Sequence, residues 1–249
     1  MAMRAPCLPQ GGVIGICSPS HVAERGRYAR IEAGIRALGF QVREANNLYQ
    51  DTYGYLATPE ERAADFHQLL YDEDVRLIFF GGGEGGNELL PLLDFDAIRR
   101  HPKRMASFSD GTTLLCAIWA KTGLETYYGP SPSCFEALTD YDRGQFLHHL
   151  VLDDAACHRA AGPWHTLVPG QAEGILVGGY TRNFALLLGS PYFPCSLEEK
   201  HLLFLEDHQQ FGGVDYVSAM ISHMEQSGFM ASVTGVLFGH YAPTPPPEL

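Results

Sequence analysis

Short apolar runs alternate with amphipathic stretches along most of this chain. Val13–Cys17 is an apolar run ended by Ser18-Pro19, which predicts a buried strand. Ala23–Leu38 has helical spacing and is closed by Gly39, and Phe40–Arg43 predicts a second short strand. Thr58-Pro59-Glu60-Glu61 offers an N-cap, a proline at the first helical position and a glutamate at the third, so a helix is expected to about Asp72. Val75–Phe80 (VRLIFF) is apolar almost throughout, as a parallel strand covered on both faces must be. Met105–Phe108 predicts another strand, Thr112–Thr122 a helix ended by Gly123, and Glu125–Tyr128 a fifth strand. This rhythm predicts an α/β fold: a doubly wound parallel-sheet N-terminal domain with its functional loops at the strand C-termini.

The pattern loosens around Thr139–Gly174, where Asp153-Asp154 and Gly162-Pro163 punctuate the chain. Beyond it the spacing predicts a helix after Gly178-Gly179, a strand at His201–Glu206, a helix over Val214–Ser227 and a strand at Val233–Phe238. The expected organisation is an N-terminal domain over 1–140, a linker over 141–172 and a smaller α/β C-terminal domain over 173–249.

Composition narrows the partners. The 249 residues carry 17 basic and 29 acidic side chains, a net charge of −12, which disfavours nucleic acid and anionic lipid. The short basic stretch Arg99–Arg104 reads as a solvated helix end. No apolar run approaches the roughly 18 residues of a membrane span, and Met1–Gln10 lacks the apolar core of a secretion signal. Cys7, Cys17, Cys116, Cys134, Cys157 and Cys195 form no C-x-x-C pair, so reduced thiols in a cytoplasmic protein are expected.

Two loops carry most of the chemistry. Ser107-Phe108-Ser109-Asp110-Gly111 lies between a predicted strand and helix and reads small-x-Ser-x-Gly, the pattern of a nucleophile elbow. Such a turn exposes the Ser109 hydroxyl at a helix N-terminus, where N–H groups favour developing negative charge. Ser109 or Asp110 acting as an ordinary helix cap fits the local pattern equally well. Gly81-Gly82-Gly83-Glu84-Gly85-Gly86-Asn87 follows VRLIFF and lets backbone N–H groups approach an anion. It lacks the Lys-Ser/Thr pair of a P-loop and the distant acidic residue of a dinucleotide site. Beside an elbow, it could supply half an oxyanion hole.

A serine nucleophile needs a base and an orienter. His148-His149 reads as a helix surface, and His67 and His223 as helix-face residues. His208, after Glu206-Asp207, and His240, after TGVLFG, stand at strand ends. No spacing supports a metal, and no cofactor is expected.

Longer stretches make the pattern specific. GGGEGGNELLPLLDFDAI (Gly81–Ile98) and SFSDGTTLLCAIWAKTGLETYYGP (Ser107–Pro130) resemble the LD-carboxypeptidase family of serine peptidases. So do EGILVGGYTRNFALLLGSPYFP (Glu173–Pro194), LLFLED (Leu202–Asp207), VTGVLFG (Val233–Gly239) and the opening GGVIGICSPS (Gly11–Ser20). The YYGP and GSPYFP variants look more like the microcin C immunity branch, whose members cleave an aminoacyl-nucleotide mimic.

The resemblance implies that Ser109 is the nucleophile, with the Asp110 and Gly83 backbone N–H groups forming the oxyanion hole. Glu206 matches the triad glutamate that orients the histidine. Gly82 and Glu84 fall in the substrate loop, and Trp164 is a candidate platform for a base, or a core residue. It implies a metal-independent homodimer that removes a terminal D-alanine from a murein tetrapeptide through an acyl-enzyme. Ser107 stands where the family has Gly, Tyr180 where Gly-Gly-Asn has Asn, and Glu84 where an aromatic is frequent. The family's triad histidine lies in a Gly-His segment downstream of the strand matched by GVLFG, so the C-terminal domain is expected to be incomplete at Leu249. His240 is then a substitute base. A binding protein that kept the pocket and lost the triad is the non-enzymatic alternative.

Overall fold

The computed structural model describes residues 2–152, 160–207 and 212–241. The chain divides into two compact units, Met1–Leu167 and Val168–Leu249.

The first unit is a five-stranded parallel sheet of β1 (Val13–Cys17), β2 (Gln41–Glu44), β3 (Val75–Phe80), β4 (Arg104–Ser107) and β5 (Tyr127–Tyr128), in the order β2-β1-β3-β4-β5. Between β1 and β3 the winding reverses direction, the switch point at whose carboxyl edge open α/β sheets bind their ligands. Helix α1 (Arg25–Ala37) starts at Glu24, whose carboxylate accepts from the Gly26 and Arg27 N–H groups at 2.7 and 2.6 Å. Helix α2 (Pro59–Tyr71) has the expected capping box between Thr58 and Glu61. After the short α3 (Phe95–Arg100), α4 (Thr112–Thr122) stops at Gly123, whose φ of 72° turns the chain left-handed. VRLIFF is buried on both faces except at Arg76, as its apolar run requires.

Two readings of the sequence need correction. Helix α5 (Asp140–Phe146) and the wider turn Leu147–Val151 open the stretch expected to be linker, yet Phe146 and Leu150 join Phe79, Phe135 and Phe40 in the first unit's core. The rings of Phe135 and Phe146 meet edge-on at 5.3 Å. The basic stretch Arg99–Arg104 is solvated only at its start. Lys103 and Arg104 are buried, Lys103 donating to the Asp72 and Val75 carbonyls and Arg104 to those of Pro6 and His149.

The second unit holds a three-stranded parallel sheet of β6 (Ile175–Tyr180), β7 (His201–Glu206) and β8 (Val233–Phe238), in that order. β6 takes in Gly178-Gly179, which the sequence suggests only as the approach to α6 (Thr181–Leu186). Phe184, Phe193 and Phe229 form its aromatic core, with α7 (Val214–Gln226) contributing Met224.

Candidate active site

Strand β4 runs buried to Ser107 and delivers Phe108 in an extended conformation, after which the chain turns sharply. Ser109 takes φ 53°, the one non-glycine residue at positive φ among the described residues. Such a conformation costs about 1–3 kcal/mol and persists only when its surroundings impose it. They do so by close fit. A Cβ on Gly111 would collide with the Ser107 side chain, while the Ser107 hydroxyl donates to the Phe80 carbonyl at 2.7 Å. The small residues flanking Ser109 therefore touch each other beneath the turn. Phe108 and Gly111, at the N-cap positions of the turn and of α4, make no side-chain cap.

Asp110 does something the sequence did not suggest. Its buried carboxylate accepts from the Gly86 N–H at 2.7 Å and from the Ser20 hydroxyl, tying the elbow to the glycine loop and to the loop after β1. Ser20 in turn accepts the Glu84 N–H at its carbonyl, 2.8 Å away. Arg62 completes the clamp from α2. It is 2% exposed, donates to the carbonyls of Ala57, Pro19 and Gly85, and pairs with Glu88.

The glycine loop lies directly on the elbow. A Cβ on Gly82 would stand 2.8 Å from Ser109 Cβ and 3.2 Å from its Oγ. Gly83 and Glu84 are exposed at the lip, while Ser109 is 8% exposed beneath them. Thus Ser109, Asp110, Gly82, Gly83 and Glu84 converge as expected. Two further side chains join them. The Tyr128 hydroxyl accepts the Ser109 N–H at 2.9 Å. His21, in the loop after β1, sits 2.8 Å from the Tyr28 hydroxyl through Nε2. Burial lowers the His21 pKa, the Gly82 backbone opposes that shift and the Arg27 charge adds to it, so the ring is neutral at neutral pH. No motif marks Arg62 or His21, whereas Ser20 closes the SPS turn and Tyr128 stands in the YYGP run, where the sequence assigns neither a role.

In the second unit, Glu206 ends β7. The Thr181 hydroxyl donates to its carbonyl at 3.0 Å and lies 2.8 Å from the Tyr241 hydroxyl. Burial, and then the Asp207 carboxylate, raise the pKa of Tyr180. His240 reaches the same sheet edge, its carbonyl accepting the Asp207 N–H at 3.0 Å. A Cβ on the preceding Gly239 would lie 2.9 Å from Glu206 Cβ, so Glu206 and His240 are neighbours along the edge. His208 and residues 242–249 lie outside the described residues. Trp164 is 70% exposed and outside any helix or strand, which removes its core alternative. Among the described residues no cluster of His, Cys, Asp or Glu could hold a metal ion, and no helix is long and apolar enough to cross a membrane.

A parallel α/β unit with a serine on a strained strand-to-helix turn, followed by a smaller parallel α/β unit, defines the class: an α/β protein with nucleophile-elbow geometry. Comparison with known proteins makes it particular. The LD-carboxypeptidase N-terminal domain matches residues 14–129 and the LD-carboxypeptidase C-terminal domain residues 173–248. The chain belongs to the LD-carboxypeptidase family, and so to the peptidases among the hydrolases. It is 30% identical to the "Probable murein peptide carboxypeptidase" of Bacillus subtilis (strain 168), over 94% of this chain and 73% of that protein. It is 28% identical to the microcin C7 self-immunity protein MccF of Escherichia coli, over 96% of this chain and 78% of that protein. The crystal structure of an MccF-like protein from Bacillus anthracis str. Ames superposes with a TM-score of 0.87 at 26% identity, covering 97% of this chain and 81% of that one. MccF in complex with glutamyl sulfamoyl guanosine gives 0.81 at 25% identity, covering 95% and 80%.

Proposed function

We propose that the protein is a serine carboxypeptidase that cleaves the amide bond before a terminal D-amino acid in murein-derived L,D-peptides. The observation that carries this reading is Ser109 at φ 53° with the Gly82 backbone packed on its side chain. Ser109 Oγ attacks the carbonyl carbon while its proton passes to a base. The resulting oxyanion lies toward the N–H groups of Asp110 and Gly83, donors fixed before the charge develops. The C–N bond then breaks, the amine leaves protonated, and water hydrolyses the acyl-enzyme. Glu206 orients the histidine base, and His240 is a histidine that the fold places at the same sheet edge. Gly82 and Glu84 border the leaving group at the lip of the loop. Under this reading the protein recycles murein in the cytoplasm as a homodimer and uses no metal.

A second substrate class has its own support. MccF has been seen with glutamyl sulfamoyl guanosine and with aspartyl sulfamoyl adenosine, and the exposed Trp164 here offers a free ring face. An aminoacyl-nucleotide would place its acyl carbon at Ser109 and its base on Trp164.

The test is labelling by a fluorophosphonate, followed by peptide mapping. Adduct on Ser109, absent in Ser109→Ala, is expected; a protein never labelled there is a binding protein rather than this hydrolase. Incubation with an L,D-tetrapeptide and, separately, with an aminoacyl-sulfamoyl nucleoside decides the substrate. Cleavage of the nucleoside alone would sink the murein reading.

A further inference from the structure

Tyr128 has no role in the sequence pattern, yet its hydroxyl is hydrogen-bonded to the backbone of the nucleophile itself. It ends β5, where Ser107 of β4 is its register partner and the Gly129 N–H donates to the Ser107 carbonyl at 2.9 Å. Register partners on neighbouring strands share a face of the sheet, and the Ser107 side chain faces the elbow, where it blocks any Cβ on Gly111. From that face the Tyr128 phenol oxygen accepts the Ser109 N–H at 2.9 Å. The donor is a backbone amide, so the direction of this bond is fixed: the nitrogen gives and the phenol oxygen receives.

The peptide that joins Phe108 to Ser109 is thereby held at both ends. Its carbonyl accepts the Gly111 N–H at 3.0 Å, and its N–H goes to Tyr128. A trans peptide is planar with these two groups on opposite edges, so the two bonds fix the plane from which the Ser109 Cα hangs. On that plane the φ of 53° sets the direction of Cβ, and the Gly82 backbone packs against the side chain. The Ser109 N–H lies beyond the last register pair of β4 and β5 and before the first residue of α4, so neither element supplies its acceptor. Ser109 is buried, and a buried N–H that loses its acceptor favours any rotation of the peptide that finds another. Such a rotation carries Ser109 out of its strained conformation.

We propose that Tyr128 is a positioning residue for the hydrolase reaction: its hydroxyl holds the Ser109 N–H, and through that peptide keeps the Ser109 side chain at the angle from which Oγ attacks. This deepens the hydrolase reading and rests on it. Phenylalanine fills the same space without an acceptor, so the hydrogen bond and the shape of the ring can be tested apart.

The measurement is the rate of Ser109 phosphonylation, resolved into a saturation constant and a limiting rate. Tyr128→Phe is expected to lower the limiting rate by roughly 10- to 100-fold, the scale on which a small misplacement of a reacting group is felt, with the saturation constant unchanged. Tyr128→Leu, which loses the ring as well, should show much the same loss. A packing role predicts a normal rate for Tyr128→Phe and a loss only for Tyr128→Leu, and that result overturns the proposal. The pH dependence of the limiting rate should keep its shape in Tyr128→Phe. Disappearance of one limb would make the phenol an acid or a base and overturn the positioning role. Hydrogen exchange at the Ser109 amide is an independent check. In the wild type this amide should be protected beyond that of the exposed Gly83, and Tyr128→Phe should remove the protection. Equal exchange at Ser109 and Gly83 in the wild type overturns the proposal even if Tyr128→Phe fails to fold. Failure of wild-type Ser109 to label would instead refute the hydrolase reading, and the exchange comparison would still decide whether Tyr128 holds the amide.

Discussion

The carboxyl edges of the two sheets are built differently. In the first unit, three loops are bound to one another by buried polar groups: Arg62 reaches carbonyls in two of them, and Asp110 ties the elbow to both of the others. The three central strands below, β1, β3 and β4, are covered, and Leu77, Ile78, Phe79 and Phe80 are fully buried. In the second unit, Glu206 ends β7 and His240 follows β8 in a three-stranded sheet whose outer strand exposes Val236, Leu237 and Phe238, the last at 48%. A strained serine needs an over-determined scaffold, whereas a carboxylate that only orients a base needs a strand end and a neighbour. The contrast predicts that substitutions in the two edges fail in different ways.

The largest difference should appear in catalysis. Ser109→Ala is expected to remove covalent labelling and to lower turnover by roughly 10³- to 10⁶-fold, the range for loss of a triad nucleophile. Under the proposed role of Glu206 in orienting a histidine base, Glu206→Ala should lower the labelling rate by about 10²- to 10⁴-fold without abolishing it. Labelling kinetics on the two variants check this. A Glu206→Ala protein that labels at the wild-type rate would break the assignment of the second edge to the same reaction.

Next comes stability. Arg62→Met keeps the aliphatic stem and leaves the Pro19, Ala57 and Gly85 carbonyls and the Glu88 carboxylate without their donor. Glu88 is half exposed and keeps its solvation, but leaving a buried carbonyl without its donor typically costs about 1–3 kcal/mol. Chemical unfolding should show that loss, together with slower labelling of Ser109, since the same carbonyls hold the loops. Normal stability would mean that the clamp is dispensable and the contrast between the edges is smaller than it looks.

Acid sharpens the comparison further. Burial lowers the pKa of His21 and His67 in the first unit and of His201 in the second. The unfolded chain takes up protons at these residues near pH 6.5, while the folded protein refuses them until a lower pH, so stability falls as pH drops below about 6.5. Asp65 and Glu44, raised by burial, act in the opposite sense nearer the carboxylate range. The Ser232 hydroxyl donates to the Phe229 carbonyl, so the His201 proton sits on Nδ1 toward Ser232 and Nε2 is a buried bare acceptor. His201→Phe keeps a ring there and removes the titration. The variant should lose less stability than wild type between pH 7.5 and 5.5 in equilibrium unfolding. An unchanged pH dependence would show that His201 is not held neutral.

Much of the first unit was legible because its signals are local. VRLIFF, the Thr58–Glu61 box and Gly123 each name their element from a few neighbouring residues. The same holds for Ser107-x-Ser109-x-Gly111, whose small residues are required by a contact only four positions apart. What the chain concealed depends on distant partners. The sequence names no strand before the helix after Gly178-Gly179, but a Cβ on Gly178 would collide with the Phe204 carbonyl of β7, so the glycine belongs to the strand pairing. Phe146 and Leu150 follow a polar turn and become core only against Phe40 and Phe79. Arg62 looks like an ordinary solvated helix residue until α2 brings it beneath the glycine loop. The elbow and glycine-loop residues that a motif marks lie together in the fold, while residues such as Arg62, brought in to hold the loops, carry no motif.

The smallest expected effect on stability concerns Trp164, in the stretch before β6. Its ring is 70% exposed, so truncation removes little buried area and Trp164→Ala should change unfolding by no more than about 0.5 kcal/mol. Its effect on ligands should be larger and selective. Stacking of a base on an aromatic ring is worth about 1–3 kcal/mol, which corresponds to roughly 5- to 150-fold in affinity. Titration calorimetry on Ser109→Ala, with and without Trp164→Ala, should show that loss for an aminoacyl-sulfamoyl nucleoside and none for an L,D-tetrapeptide. Equal losses for both ligands would make Trp164 a general wall of the site. No loss for either would leave the nucleotide reading without a residue in this chain to recognise the base.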